Sequence, residues 1–246
     1  ESRFDTSVWR IDADGTVWTK AAGKIERLQA ENLVVACGAM ERPVPVPGWT
    51  LPGVMTIGAL QIMLKDAGLS PSGRLVLAGC GPLFYLFAVQ CLKAGFSDLV
   101  LLDTAARTNL VPALRYLPKA IFGYGPSYLW KGLALMTALR RHGVKIHRRV
   151  SDLRIEGTER ASSVSFRAGT RTRRVDLDLI ALHEGVIPSQ QITRSIGCAH
   201  RWDQGQQCFF PVLDPMGESS LPGIFIAGDG GGIIGAAASA HAGTLC

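Results

Sequence analysis

The sequence predicts an α/β fold, and three observations carry that expectation. An apolar strand over residues 74–78 runs through Gly79-Cys80-Gly81-Pro82 into an apolar helix over 83–94, and a second apolar strand then closes on Asp103. Strand, glycine turn, helix and parallel strand make a βαβ unit of the Rossmann-like kind. A continuous apolar strand, 33–36, precedes this unit, and a short strand ending in Gly228-Asp229 follows it far downstream. The 246 residues suffice for two ordinary domains, and 47% hydrophobic with 19% charged content is a globular composition.

Each element has a local reason. Residues 7–11 and 16–19 flank Asp12-Ala13-Asp14-Gly15, a hairpin turn between two strands. Residues 33–36 are all apolar, which reads as a strand buried on both faces. They lead into Cys37-Gly38-Ala39 and then Arg42-Pro43-Val44-Pro45-Val46-Pro47-Gly48. Three prolines so close together exclude helix and central strand, so this stretch reads as a linker or domain crossover. Gly95 stops the helix of the βαβ unit. A helix is expected over 127–142 with Gly143 as its stop, and Trp130, Leu133, Met136 and Leu139 sit at helical spacing as a core stripe. Strands broken by turns occupy 144–182, and strand and turn character returns over 208–229. Gly230-Gly231-Gly232 and an Ala-rich run then open a last helix. The expected division is one domain from 1–49 and 189–246, with 50–188 inserted. Both ends read as cuts, since Glu1 is not a methionine and Cys246 falls inside a helix.

Several function classes lose support. No apolar run reaches the ~18 residues of a membrane span. The net charge of +6 comes largely from Arg140, Arg141, Arg148, Arg149, Arg167, Arg171, Arg173 and Arg174, with no interleaved aromatics. This is a solvated face rather than a nucleic-acid surface. Six cysteines without a CxxC point to a reduced, cytoplasmic setting and speak against a dithiol reductase. His183 and Glu184 are neighbours on a strand and point to opposite faces, so they do not read as an acid–base pair but as lining of the domain crossover. His241 reads as a half-buried helix residue. Cys198 and Cys208 flank Trp202 but lack the two further ligands a metal would need, and no metal is expected. No Ser-His-Asp order or Walker loop is present, and no residue reads as a proton-transfer catalyst.

The glycine turns carry the chemistry. Gly79-x-Gly81 lets a backbone approach a pyrophosphate, the helix N-terminus after Pro82 favours the anion, and Asp103 can accept ribose hydroxyls. That acid favours NAD over NADP. Phe84 stands where the third glycine of the pattern would be. Ala36-Cys37-Gly38 lets the chain pass close under a flavin. Gly228-Asp229 with Gly230, Gly231 and Gly232 would bring a carboxylate to the ribitol of FAD and aim a helix N-terminus at its phosphates.

In that order these pieces resemble the FAD-dependent pyridine nucleotide-disulfide oxidoreductase superfamily. Its A-T-G strand end, second GxGxxG and closing G-D match Ala36-Cys37-Gly38, Gly79-Cys80-Gly81 and Gly228-Asp229, with Cys37 for Thr; the first GxGxxG has no counterpart. Residues 41–56, 78–83 and 183–188 resemble a narrower group, the A or α subunits of opine oxidase, hydrogen cyanide synthase, and hydroxyproline or sarcosine dehydrogenase complexes. Pro82 is typical of that group. The resemblance implies a two-dinucleotide-binding-domain flavoprotein fold, N-terminally truncated, with FAD in the split domain and NAD or another adenine nucleotide open to the inserted one. It implies an FAD-dependent dehydrogenase subunit relaying electrons from amine or imino-acid oxidation. The expected partners are a second flavoprotein (β/B) subunit, which would handle the small-molecule amine or imino acid, and a small iron–sulfur protein as an open further partner. The alternatives are a stand-alone NAD(P)H-dependent FAD reductase and a non-catalytic nucleotide-binding subunit or fragment.

Overall fold

A computed structural model describes residues 2–69, 71–106 and 126–246. The chain divides into two compact units, Glu1–Met40 with Val186–Cys246, and Glu41–Gly185.

The continuous unit is built on a five-stranded sheet in the order Val54–Thr56, Leu179–His183, Leu75–Gly79, Leu99–Asp103, Lys145–Arg148, with every neighbour parallel. Strands Leu75–Gly79 and Leu99–Asp103 are buried along their whole length, as continuous apolar runs between two covered faces must be. Alternation divides their side chains between the faces. Leu75, Leu77, Leu99 and Leu101 meet Ile57 and Leu60 of helix Ile57–Asp66, Phe84 and Phe87 of helix Pro82–Lys93, and Leu139 of helix Pro126–Arg141. Val76, Ala78, Val100 and Leu102 meet Val150, Ile155, Val164 and Phe166 on the other side. Those residues belong to an antiparallel sheet of Val150–Glu156, Ser163–Ala168 and Arg171–Asp176. Each such fully buried side chain contributes about 1.5–3 kcal/mol.

Two expectations change here. The proline-rich stretch is not a loose linker: Val44, Val46 and Leu51 pack against the second of these cores, and Pro47 O accepts from Ile155 N at 2.8 Å. The helix stripe holds only at its C-terminal end. Leu139 is fully buried and Met136 half-buried, but Trp130 is 73% and Leu133 60% exposed. Helical spacing identifies a face, and only the last turns of this face have a sheet to meet.

The other unit starts with an antiparallel meander, Ser7–Ile11, Thr16–Ala21 and Lys24–Gln29. Strand Leu33–Val35 then pairs in parallel with Ile224–Ile226. Val35, Ile224 and Ile226 pack with Ile196 and Cys198. Val34 is half-exposed, which corrects the expectation of a strand buried on both faces. Among the described residues this strand has one sheet neighbour, so its apolar run is not covered as a central strand would be. A hairpin of His200–Asp203 and Cys208–Pro211 and the terminal helix Ala236–Leu245 complete the unit. His241 on that helix is exposed, not half-buried. No described helix is long and apolar enough to cross a membrane.

Candidate functional site

In the split unit, parallel pairing of Leu33–Val35 with Ile224–Ile226 brings two glycine turns to the same ends of their strands. The Ala227 N–H donates to Val35 O at 3.0 Å, so the chain stays in register until both segments turn. Ala36 and Cys37 emerge exposed, and Gly38 follows with φ of +65° and open space where a Cβ would stand. Gly228-Asp229-Gly230 forms one 3-10 turn. A Cβ at Gly230 would lie 3.6 Å from Gly38 O, so the two turns touch. Gly231 and Gly232 lie against Leu213 and the Phe210 ring.

Asp229 organises this turn. Its Oδ1 accepts from Ile234 N at 2.9 Å, Gly235 N at 3.0 Å and Ser239 Oγ at 3.1 Å. Burial opposes ionisation, but these donors outweigh it and hold the carboxyl below its ordinary value. Its second oxygen has no hydrogen bond among the described residues. Helix Ala236–Leu245 opens on Gly235 with no side-chain cap, which leaves its first-turn N–H groups to other acceptors. A carboxylate with one free oxygen, an uncapped helix start and a Cβ-free passage at Gly38 suit the hydroxyls and phosphates of a flavin dinucleotide.

In the continuous unit the parallel strands deliver Gly79, Asp103, Arg148 and His183 to one end of the sheet. Gly79 has φ of +150°, and a Cβ on it would stand 1.8 Å from His183 O; Cys80 N donates to that carbonyl at 3.0 Å. Gly79 is therefore required by its neighbouring strand. Gly81 has φ of +94° and nothing within 4 Å of a Cβ position, so a ligand can approach there. Pro82 starts helix Pro82–Lys93, again with no side-chain cap. Phe84, at the third-glycine position, is fully buried among the helix-face core residues. An apolar groove of about 780 Å³ runs past Gly81, Pro82, Tyr85 and Leu86 to Met136 and Arg148.

Asp103 is where the βαβ pattern puts it, but it is not free. Tyr85 OH donates to Oδ2 at 2.6 Å and Ala105 N to Oδ1 at 2.9 Å. Burial and this carboxylate together push the Tyr85 phenol far up. A second polar cluster stands behind the glycine turn. Glu184 accepts from Thr104 Oγ1 at 2.7 Å and Cys80 Sγ at 3.3 Å, and its carbonyl accepts from Arg42 Nε at 3.1 Å. Burial, then Glu184, raises the Cys80 thiol to about 11, which keeps it protonated and unreactive near neutrality. His183 bonds Glu41 through Nδ1 at 2.5 Å, and the other oxygen of Glu41 accepts from Gly58 N at 2.6 Å. His183 and Glu184 thus point apart, into separate networks.

Glu41, Tyr85, Thr104 and Ser239 were not singled out in the sequence. Tyr85 directly follows the occupied third-glycine position, and Ser239 lies ten residues past Asp229. Only the first of these spacings marks a site residue in advance. Among the described residues no group of His, Cys, Asp or Glu could hold a metal.

Residues 131–243 match the model of the pyridine nucleotide-disulphide oxidoreductase family. The A subunit of opine oxidase from Rhizobium meliloti (strain 1021) is 49% identical over 245 residues, 100% of this chain and 54% of that protein. The HcnB subunit of hydrogen cyanide synthase from Pseudomonas aeruginosa is 30% identical over 99% of this chain and 53% of its own length. The chain thus spans about half the length of the curated relatives it matches. In fold it is similar to an FAD-dependent pyridine nucleotide-disulphide oxidoreductase from Desulfovibrio vulgaris, with a TM-score of 0.61, 22% identity, and coverage of 92% of this chain and 53% of that one.

Proposed function

The chain belongs to the pyridine nucleotide-disulphide oxidoreductase family, and from that premise we propose that it is part of a flavoprotein dehydrogenase subunit that relays electrons from amine or imino-acid oxidation. The substrate type is of the opine, hydroxyproline or glycine kind, and oxidation of it falls to a partner flavoprotein subunit. One observation carries the proposal: the Ala36–Gly38 and Gly228–Gly232 turns meet around an ionised Asp229 with one oxygen unused.

The split unit would hold FAD, which supplies the redox centre when bound. Asp229 would accept from its ribitol hydroxyls through Oδ2, while Oδ1 keeps the turn in place through Ile234, Gly235 and Ser239. The uncapped start of helix Ala236–Leu245 would face its phosphates. Ala36, Cys37 and Gly38 would form the closely packed edge, with no side chain at Gly38 to obstruct it. No side chain in either turn is placed for proton transfer, which suits a protein that positions a cofactor rather than supplying acid–base chemistry. The continuous unit would take an adenine nucleotide between Gly81 and Asp103.

A second reading, an NAD(P)H-dependent FAD reductase, is favoured by the Gly79-x-Gly81 turn and its Asp103. The visible spectrum of the purified protein tests the first. Flavin bands that NADH does not bleach favour the relay, bleaching favours the reductase, and a colourless protein that takes up no FAD on reconstitution refutes both.

A further inference from the structure

We propose that Tyr85 is an internal substitute for a ribose, holding the acid of the nucleotide fold and making the continuous unit select against ribose-presenting dinucleotides. The inference rests on reading that unit as a nucleotide-binding fold, and it concerns how that site is regulated by its own side chains.

Asp103 ends its strand 8% exposed, and both its oxygens are occupied. Ala105 N is a backbone donor that any residue at 105 supplies. Tyr85 is different, because its hydroxyl crosses from helix Pro82–Lys93 to reach Oδ2 at 2.6 Å, the length of a strong bond to a carboxylate. A ribose hydroxyl would make the same bond to the same oxygen. The ring is fixed in that position, because it packs edge-on against Phe84 at 5.0 Å and an interplanar angle of 80°, and Phe84 is anchored in the core. Tyr85 also lines the 780 Å³ groove beside Gly81, so it stands on the path a nucleotide would take. A nucleotide entering there must break a charge-assisted hydrogen bond and return the phenol to water before it gains its own bond to Asp103. The gain from ribose recognition is thereby largely cancelled, and affinity falls to what phosphate and base contacts provide.

Tyr85→Phe removes the hydroxyl and keeps the ring; Tyr85→Ala also clears the space over Asp103. Isothermal titration of the purified protein with ADP, and with 2′,3′-dideoxy-ADP, reads the effect. One or both variants should bind ADP about tenfold or more tightly than wild type, the worth of a hydrogen bond to a charged group. The dideoxy nucleotide should show no such gain. Equal ADP affinity in all three proteins overturns the role of Tyr85 and leaves the nucleotide reading standing. No binding by any of the three overturns both, while the flavin spectrum tests the split unit independently. A gain shared by the dideoxy nucleotide also overturns the proposal, because it would report cleared space and not a released acid.

Discussion

Replacing Glu41 by alanine should unlock the sheet end that carries the Gly79-x-Gly81 turn. The carboxylate is 11% exposed and its partner His183 4% exposed, so both are shielded from water. Glu41 accepts from Gly58 N at 2.6 Å and bonds His183 Nδ1 at 2.5 Å. It thus joins the last residue of strand Leu179–His183 to the first turn of helix Ile57–Asp66, where an acidic group is also favoured by the helix dipole. Alanine leaves two shielded polar groups without partners, at about 1–3 kcal/mol each before relaxation. A loss of about 2–4 kcal/mol follows, equivalent to roughly 30- to 1,000-fold in an opening equilibrium. Hydrogen exchange of peptides spanning Leu179–His183 reads this unit alone, and their amides should exchange faster by that factor. Glu41→Gln, which keeps one acceptor, should fall in between. Exchange within threefold of wild type in Glu41→Ala would show that water or repacking satisfies both groups and that this pair does not tie the strand to the helix.

Gly79→Ala should abolish soluble expression or strongly lower thermal stability, since its Cβ would stand 1.8 Å from His183 O, whereas Gly81→Ala meets no atom within 4 Å and should fold with a loss of about 1–2 kcal/mol from its positive φ while weakening nucleotide binding. Timed alkylation near pH 8 with peptide mapping should label exposed Cys37 well before Cys80 and Cys91, whose thiols burial raises to about 11 and about 12; equal labelling would contradict the buried placement. Asp229 has a folded value lowered below 3.8, so the stability it contributes is complete above the ordinary carboxylate range and is lost as pH falls through the folded value. Acid unfolding of Asp229→Asn should therefore show a shallower dependence on pH over that range than wild type does.

What was legible in the residues was local. Gly79, Gly81 and Asp103 follow from a strand, a turn and a helix that are contiguous in the chain, and their backbone demands show directly as glycine. The apolar runs of Leu75–Gly79 and Leu99–Asp103 likewise signal burial on both faces. The same cue misleads at Val34, because a run of three apolar residues does not say how many neighbours the strand has. Trp130 and Leu133 mislead similarly, since periodicity specifies a face and not its covering. The Glu41–His183 bond joins residues 142 apart, and no spacing announces it. Nor does an acid at a strand end reveal that Tyr85 already occupies it. Polar satisfaction inside a fold is settled by tertiary neighbours, and it is where the site differs most from its sequence pattern.

The central claim is that the two glycine turns hold a flavin through Asp229, and flavin affinity in Asp229→Ala tests it most directly. Wild-type protein should bind FAD with its visible bands present, and the variant should bind about 10- to 100-fold more weakly, the worth of losing a charge-assisted hydrogen bond. Its circular dichroism should change little, because the lost turn contacts at Ile234, Gly235 and Ser239 correspond to one helix start, about 1 kcal/mol. Flavin bound equally well by both proteins would contradict the assignment of Asp229, and with it the site proposed around the two turns.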